Sequence, residues 1–246
     1  RMAESRQTTA PVTLTTDADA TELVALREQL KASFAPRNLL VPSYNDLLMK
    51  LCAVALQEHP MLNASWRGNE IFVPAYVNIG LAVDTDDGLM VPVVRNVENK
   101  SVRQIAADSR AVIERIQTRK ATPTDLLDGT FTITNLGAYG IDAFTPIINP
   151  PQCAILGVGR IVKKPAVYQD QIVPRHRVAL ARERQHGIEL RPQGVLPRGL
   201  VDKLLVHLDV IELGFRVLVE TADPDIADAL TVQDVSAKGG SVRGTL

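Results

Sequence analysis

The stretch "GTFTITNLGAYG", residues 129 to 140, holds the groups best spaced for chemistry. Thr130, Thr132 and Thr134 alternate with Phe131 and Ile133, so a strand here carries hydroxyls on one face and apolar groups on the other. Asn135, Gly137 and Gly140 then break the pattern. A hydroxyl row brought to a flexible corner is either a solvated strand face or a hydroxyl placed to serve chemistry. Four histidines, His59, His176, His186 and His207, are the candidate proton carriers. "VGRIVKKP" adds a basic cluster, Arg160, Lys163 and Lys164, which reads either as a solvated turn or as a phosphate contact. "DTDDG" resembles half of a calcium loop but lacks the later bidentate glutamate. No P-loop, Cys-x-x-Cys pair or metal-binding helix occurs in the sequence. No metal and no bound nucleotide redox cofactor is expected, since no ligand cluster is visible.

The elements that position these groups follow from periodicity. "ATELVALREQLKAS" has Leu23, Leu26 and Leu30 at helical spacing, with Asp17 or Asp19 as its start. Asn38 to Pro42 is a connector. Ser43 or Asn45 caps "DLLMKLCAVALQEHP", a helix apolar on most sides that Pro60 stops. "EIFVPAYVNIGLAVDTDDGLMVPVVRNV" reads as strands around a turn at Asp86-Asp87-Gly88. "SVRQIAADSRAVIERIQTRK" is an amphipathic helix capped by Ser101, with Val102, Ile105, Ala106, Val112, Ile113 and Ile116 on its apolar side. "TPTDLLDG" links it to the threonine strand. "CAILGVGRIVKKPAVYQDQIVPRHRVAL" gives two strands joined near Gln169-Asp170. After Leu180 the polar stretch "ARERQHGIELRPQGVLPRGLVDK" reads as a loop or surface hairpin, and "SAKGGSVRGTL" as a frayed end. This irregular alternation predicts an α/β mixed-sheet sandwich with helices.

Bulk properties narrow the function. The 246 residues are 46% hydrophobic and 22% charged, which suits one large domain or two small ones. A formal net charge of -1 and 4% aromatic content argue against nucleic acid and anionic membranes as partners. Cys52 and Cys153 sit in apolar settings and read as small buried residues rather than a disulfide framework, so a reducing cytosol is expected. No apolar run reaches membrane-helix length and no signal peptide is visible. "RMAESRQTTAPVTL" begins inside a helix-like stretch, as a domain cut from a longer chain would.

Three strings, "SYNDLLMKLCAVALQEHPMLNASW", "VNIGLAVDTDDGLMVPVVRNVENKSVRQIA" and "LLDGTFTITNLGAYGIDAFTPIINPPQCAILGVGRI", together resemble the catalytic core domain of the dihydrolipoyl acyltransferases of 2-oxo acid dehydrogenase complexes. The likeness covers about residues 1 to 180. It implies a chloramphenicol-acetyltransferase-like fold, trimers, and larger cubic or dodecahedral cores. It implies lipoyl and subunit-binding domains ahead of Arg1, and decarboxylase and dihydrolipoyl dehydrogenase components as partners. The compartment would be the cytoplasm, or the mitochondrial matrix in a eukaryote. The implied reaction moves an acyl group between dihydrolipoamide and coenzyme A. A histidine takes the thiol proton, and a strand hydroxyl stabilises the oxyanion. Thr134 occupies the hydroxyl position, while Thr130 and Thr132 are ordinary strand residues. Asn135, Gly137, Phe144 and Pro146 fall where coenzyme A would be held.

The family's His-Arg-x-x-x-Asp-Gly signature does not occur here. His186, in "RQHGIEL", follows Thr134 by fifty-two residues, about the family spacing, and is the expected base. His207, in "LLVHLDVIELG", is the alternative; His176 has a neighbouring arginine but comes early, and His59 is a structural helix-end residue. Residues 1–236 are expected to form the core domain, divergent from the family over 181–236, with 237–246 a tail. Three readings follow: an active acyltransferase, an inactive structural core subunit, or a C-terminal segment altered by divergence or a sequence shift. The acyl group, acetyl, succinyl or branched-chain, is open.

Overall fold

The helical and strand periodicities resolve into helices laid on one mixed sheet. The computed structural model describes residues 2–9, 11–67, 70–86 and 88–185. In chain order these form α1 (Met2–Thr8), β1 (Pro11–Asp19), α2 (Thr21–Phe34), α3 (Tyr44–Glu58), β2 (Ser65–Arg67), β3 (Glu70–Phe72), β4 (Ile79–Leu81), β5 (Val83–Thr85), β6 (Gly88–Met90), β7 (Val93–Val94), α4 (Val102–Gln117), β8 (Phe131–Asn135), β9 (Ala154–Tyr168) and β10 (Gln171–Gln185). The main sheet has the order β1-β10-β9-β8-β4-β7. Its centre is parallel, β9 beside β8 and β8 beside β4, and its flanks are antiparallel. β2–β3 and β5–β6 are separate small hairpins.

Local chemistry explains the boundaries. Gln169 and Asp170 both take positive φ, 49° and 59°, which gives the β9–β10 hairpin the two-residue turn that fits strand twist. Ser43 is the cap of α3: its hydroxyl accepts the Asp46 N–H at 3.2 Å, and Asp46 accepts the Ser43 N–H at 2.7 Å. Asn45 lies inside the first turn and is not the cap. Ser101 and Gln104 form the same box on α4. Asp17 and Asp19 do not start α2, because pairing with β10 carries β1 through Asp19. The Asp19 carboxylate still accepts the Thr21 N–H at 2.9 Å.

Two further expectations change. Residues 181–185 are not a loop: β10 continues through Gln185, paired on both sides as far as Arg184, with Arg182 and Glu183 buried. Flanking strands satisfy the backbone there, and this overrides the polar composition. Arg160, Lys163 and Lys164 do not lie in a turn but within β9. Arg160 pairs with Asp142 at 2.8 Å and Lys164 with Asp17 at 3.1 Å. The remaining histidines, His186 and His207, and the expected tail lie outside the described residues.

The core packs α2, α3 and α4 on one sheet face. Leu23, Leu26, Leu47, Leu51, Ile105 and Val112 join Ile79, Ile133, Leu156 and Leu180 in one buried cluster. Cys52 and Cys153 are buried and free, and burial pushes their thiols up to about 12 and about 11. Three polar struts fix α3. Ser109 donates to Asp46 at 2.5 Å, and the Lys50 ammonium donates to the carbonyls of Glu98 at 3.1 Å and Lys100 at 2.8 Å.

Lys50 is 1% exposed, and burial draws its pKa down to about 8 from the ordinary 10.5, partly offset by the Glu98 charge. The unfolded chain therefore binds the extra proton between these values, and stability rises with pH across that window. We expect wild type minus Lys50→Met to gain about 1.4 kcal/mol per pH unit from pH 8 to 10.5, read from urea unfolding. A flat difference would disprove the strained ammonium.

Candidate active site

β8 lies at the middle of the sheet, paired on both edges by β9 and β4, and its first three residues are buried. Phe131 and Ile133 face the helices, and Ile133 is 0% exposed. The hydroxyl face is not a solvated one, because Thr130 and Thr132 are also buried. They are more than ordinary strand residues. Thr130 donates to the Asn78 carbonyl at 3.1 Å and accepts the Asn78 N–H at 3.0 Å. Thr132 donates to the buried Gln152 side chain at 2.6 Å. Thr134 differs: it is half-buried and its hydroxyl makes no hydrogen bond to another described side chain or backbone group. The strand thus spends two hydroxyls on structure, and the third has no partner among the described residues.

The turn after β8 is held by backbone contact. Leu136 N–H bonds to Val158 at 3.0 Å, and the chain reverses through a short turn ending at Gly140, φ 80°. A Cβ at Gly137 would stand 2.5 Å from the Gly159 carbonyl oxygen, and one at Gly159 would overlap the Asp142 carbonyl oxygen. Only glycine lets two backbones meet this closely. Arg160 locks the returning strand, its N–H bonding to the Ile141 carbonyl at 2.8 Å.

Thr134 is in register with Gly157 on the parallel neighbour β9. Register partners share a face, and Phe144 and Pro146 close over Gly157, each 3.2 Å from where its Cβ would be. The structure thus brings Thr134, Phe144 and Pro146 together on one face. Asn135 points the other way: its amide donates to the Asn45 side chain at 2.7 Å and its oxygen accepts the Gly137 N–H at 2.9 Å.

Neither described histidine belongs to this cluster within one chain. His59 is the C-cap of α3, fourteen residues from Asn45, which is about 21 Å at the helical rise. Burial holds its pKa below the ordinary value. His176 is in register with Lys163, six residues along β9 from Gly157, or about 20 Å at the strand rise. A separate cleft of about 200 Å³, lined by Arg67, Phe72, Tyr76, Thr130 and Gln152, opens at the other end of β8. Among the described residues no group of three metal-ligating side chains occurs, and no helix is long and apolar enough to cross a membrane.

Sequence reasoning missed Asn45, Gln152, Gly157 and Gly159 as parts of this region. Gly157-x-Gly159 at the start of a strand was the available signal, since glycine weakens a strand unless backbone approaches it. Asn45 and Gln152 give no periodic signal.

The mixed sheet with its helix-covered face and central strand turn defines the chloramphenicol acetyltransferase fold. A solved chloramphenicol acetyltransferase matches with a TM-score of 0.51 at 10% identity, covering 86% of this chain and 91% of that one. Within that fold the chain belongs to the family of 2-oxoacid dehydrogenases acyltransferase (catalytic domain), whose profile matches residues 1–186. It is 38% identical over 172 residues to the dihydrolipoyllysine-residue acetyltransferase component of the pyruvate dehydrogenase complex of Rickettsia bellii, over 70% of this chain and 41% of that protein. The chain thus spans about two fifths of the length of such relatives. The cubic core of a pyruvate dehydrogenase multienzyme complex matches with a TM-score of 0.75 and 34% identity, over 93% of this chain and 88% of that one.

The three glycines should differ in cost. Gly157→Ala meets the Phe144 and Pro146 side chains at 3.2 Å and the Ala181 carbonyl oxygen at 3.3 Å, and should lose about 1–3 kcal/mol, the usual overpacking penalty. Gly137→Ala and Gly159→Ala meet backbone, with Gly159→Ala the worst. Thermal melts of the three variants check the order, and a Gly159→Ala protein as stable as Gly157→Ala contradicts the backbone contact.

Proposed function

We propose that this chain is the catalytic core of a dihydrolipoamide acyltransferase, moving an acyl group between dihydrolipoamide and coenzyme A within a 2-oxo acid dehydrogenase complex. The observation that carries it is Thr134, the one hydroxyl of its strand left without a described partner, at a turn built on backbone contact, in a chain of this family. A base removes the thiol proton of one substrate, and the thiolate adds to the thioester carbonyl of the other. The Thr134 hydroxyl donates to the oxyanion of that adduct. Collapse expels the second thiolate, which takes the proton back. Gly137, Phe144 and Pro146 border the pantetheine arm of coenzyme A, whereas Asn135, expected beside them, faces the helices and braces the turn instead. The lipoyl group comes on another domain, and the reaction needs no metal.

The base is His186, with His207 the alternative, reaching Thr134 from a neighbouring subunit. The two described histidines lie about 20 Å from this site within the chain. The assembly is a homotrimer within a larger symmetric core, in the cytoplasm, meeting the decarboxylase and dihydrolipoyl dehydrogenase components. Residues 1–236 form the domain. Exposed Tyr139, Ile141 and Ile147 beside the site are apolar surface for a subunit contact. A stable monomer at micromolar concentration in sedimentation would overturn the trimer.

A second reading has one observation behind it. The chain lacks the His-Arg-x-x-x-Asp-Gly string, which an inactive structural core subunit would not need. Steady-state transfer from acetyl-coenzyme A to dihydrolipoamide separates the two. In the enzyme, Thr134→Ala should lower kcat by about 10²–10³, the range for losing one oxyanion donor, with coenzyme A binding nearly unchanged. Thr134→Ser should keep much of the rate, and His186→Ala should lose it. An unimpaired Thr134→Ala removes the assigned role; an inert trimer selects the structural subunit.

A further inference from the structure

Asn45 sits where a helix cap was expected, yet Ser43 takes that task completely, with both bonds of the capping box formed inside Ser43–Asp46. The Asn45 side chain is therefore released from its own helix. Its oxygen accepts the Asn135 amide at 2.7 Å, across ninety residues of sequence. Asn135 uses its remaining oxygen on the Gly137 N–H at 2.9 Å. Both polar ends of Asn135 are thus committed, one to a helix and one to the turn.

Alternation along β8 gives this contact its direction. Asn135 points toward the helices and Thr134 to the opposite face. A restraint on Asn135 therefore holds the Thr134–Asn135 peptide from behind while leaving the hydroxyl face open. The helix that supplies the restraint is itself immobilised: Asp46 accepts from Ser109 on α4 at 2.5 Å, and Lys50 is bonded to the Glu98 and Lys100 carbonyls. A side chain on a helix anchored at these points is a better post than one on a loop.

We propose that Asn45 is a positioning residue for acyl transfer, setting the orientation of the Thr134 hydroxyl through Asn135 and the Gly137 turn. The proposal rests on the acyltransferase reading for its kinetic consequence, but the coupling of Asn45 to the turn does not.

The test has a kinetic and a structural arm on the full chain in its native assembly. Asn45→Leu, which keeps the size and loses the acceptor, should lower kcat about tenfold, since a small misplacement near the chemistry is costly. The KM for coenzyme A should stay within about twofold. Asn45→Asp, whose carboxylate still accepts from the Asn135 amide, should recover most of the rate. Asn45→Leu combined with Asn135→Ala should be no slower than Asn135→Ala alone, because the two act as one unit. In hydrogen exchange with mass analysis, the peptide 135–140 of Asn45→Leu should exchange about tenfold faster than wild type, while β9–β10 peptides are unchanged. Unchanged exchange at 135–140 overturns the proposal whether or not the protein is active. A wild type without transfer activity counts against the acyltransferase reading, and the exchange arm then decides the coupling alone. A full-rate Asn45→Leu, or strictly additive losses in the double variant, overturns the positioning role.

Discussion

Parallel pairing of β8 with β9 is the constraint on which the rest of this structure depends. Parallel neighbours cannot be joined by a tight turn, so the chain must travel back the length of the strand. It leaves β8 at Asn135 and enters β9 at Ala154. The returning segment has no regular helix to satisfy its backbone, and α2, α3 and α4 already occupy one sheet face. It therefore lies on the opposite face, over the threonines. Gly137, Gly157 and Gly159 make that approach possible, and α1 pins the far end through Ser5, whose hydroxyl donates to the Ile148 carbonyl at 2.6 Å. Burying a hydroxyl face then requires partners, which Asn78 and Gln152 provide for Thr130 and Thr132.

The helix side is held by different means. α3 is almost wholly apolar around its circumference, which gives burial but little orientation. Direction comes from polar struts at specific points, Asp46 to Ser109 and Lys50 to two carbonyls. Such groups cost solvation energy when buried, a cost that the hydrogen bonds to Asp46 and from Lys50 offset in part. The gain is a helix whose first turn stands at a defined place behind β8.

Much of this was legible in the sequence, and the exceptions share a cause. Periodicity located α2, α3 and α4, and the two-residue corner at Gln169-Asp170 followed from composition. The family strings led directly to the acyltransferase catalytic domain. What failed was strand length at both ends of the long pairings. β1 keeps Asp17 and Asp19, and β10 keeps Ala181 to Gln185, because ladder partners outweigh local polarity. Arg160 and Lys164 were misplaced in a turn for the same reason: on the strand they are held by acidic residues distant in sequence. Within the candidate site, Phe144 and Pro146 lie over Gly157, the ladder partner of Thr134. Asn45 was read only as a cap, since nothing local reveals that Ser43 has already filled that role.

The division along β8 between hydroxyls bonded internally and the one without a described partner follows from where the ladder stops. A hydroxyl deep in the strand must be bonded internally, since no water or ligand reaches it. One at the last pairs can be approached, provided the turn beyond it does not move. That turn is fixed twice, by backbone packing on β9 in front and by the Asn45–Asn135 bond behind. An oxyanion donor gains from such rigidity because its dipole is already aimed before charge develops. A general base has a looser requirement, needing only to come within hydrogen-bond reach of the thiol in the loaded site. The proposed acyl transfer therefore asks rigidity of its Thr134 donor and only reach of its base.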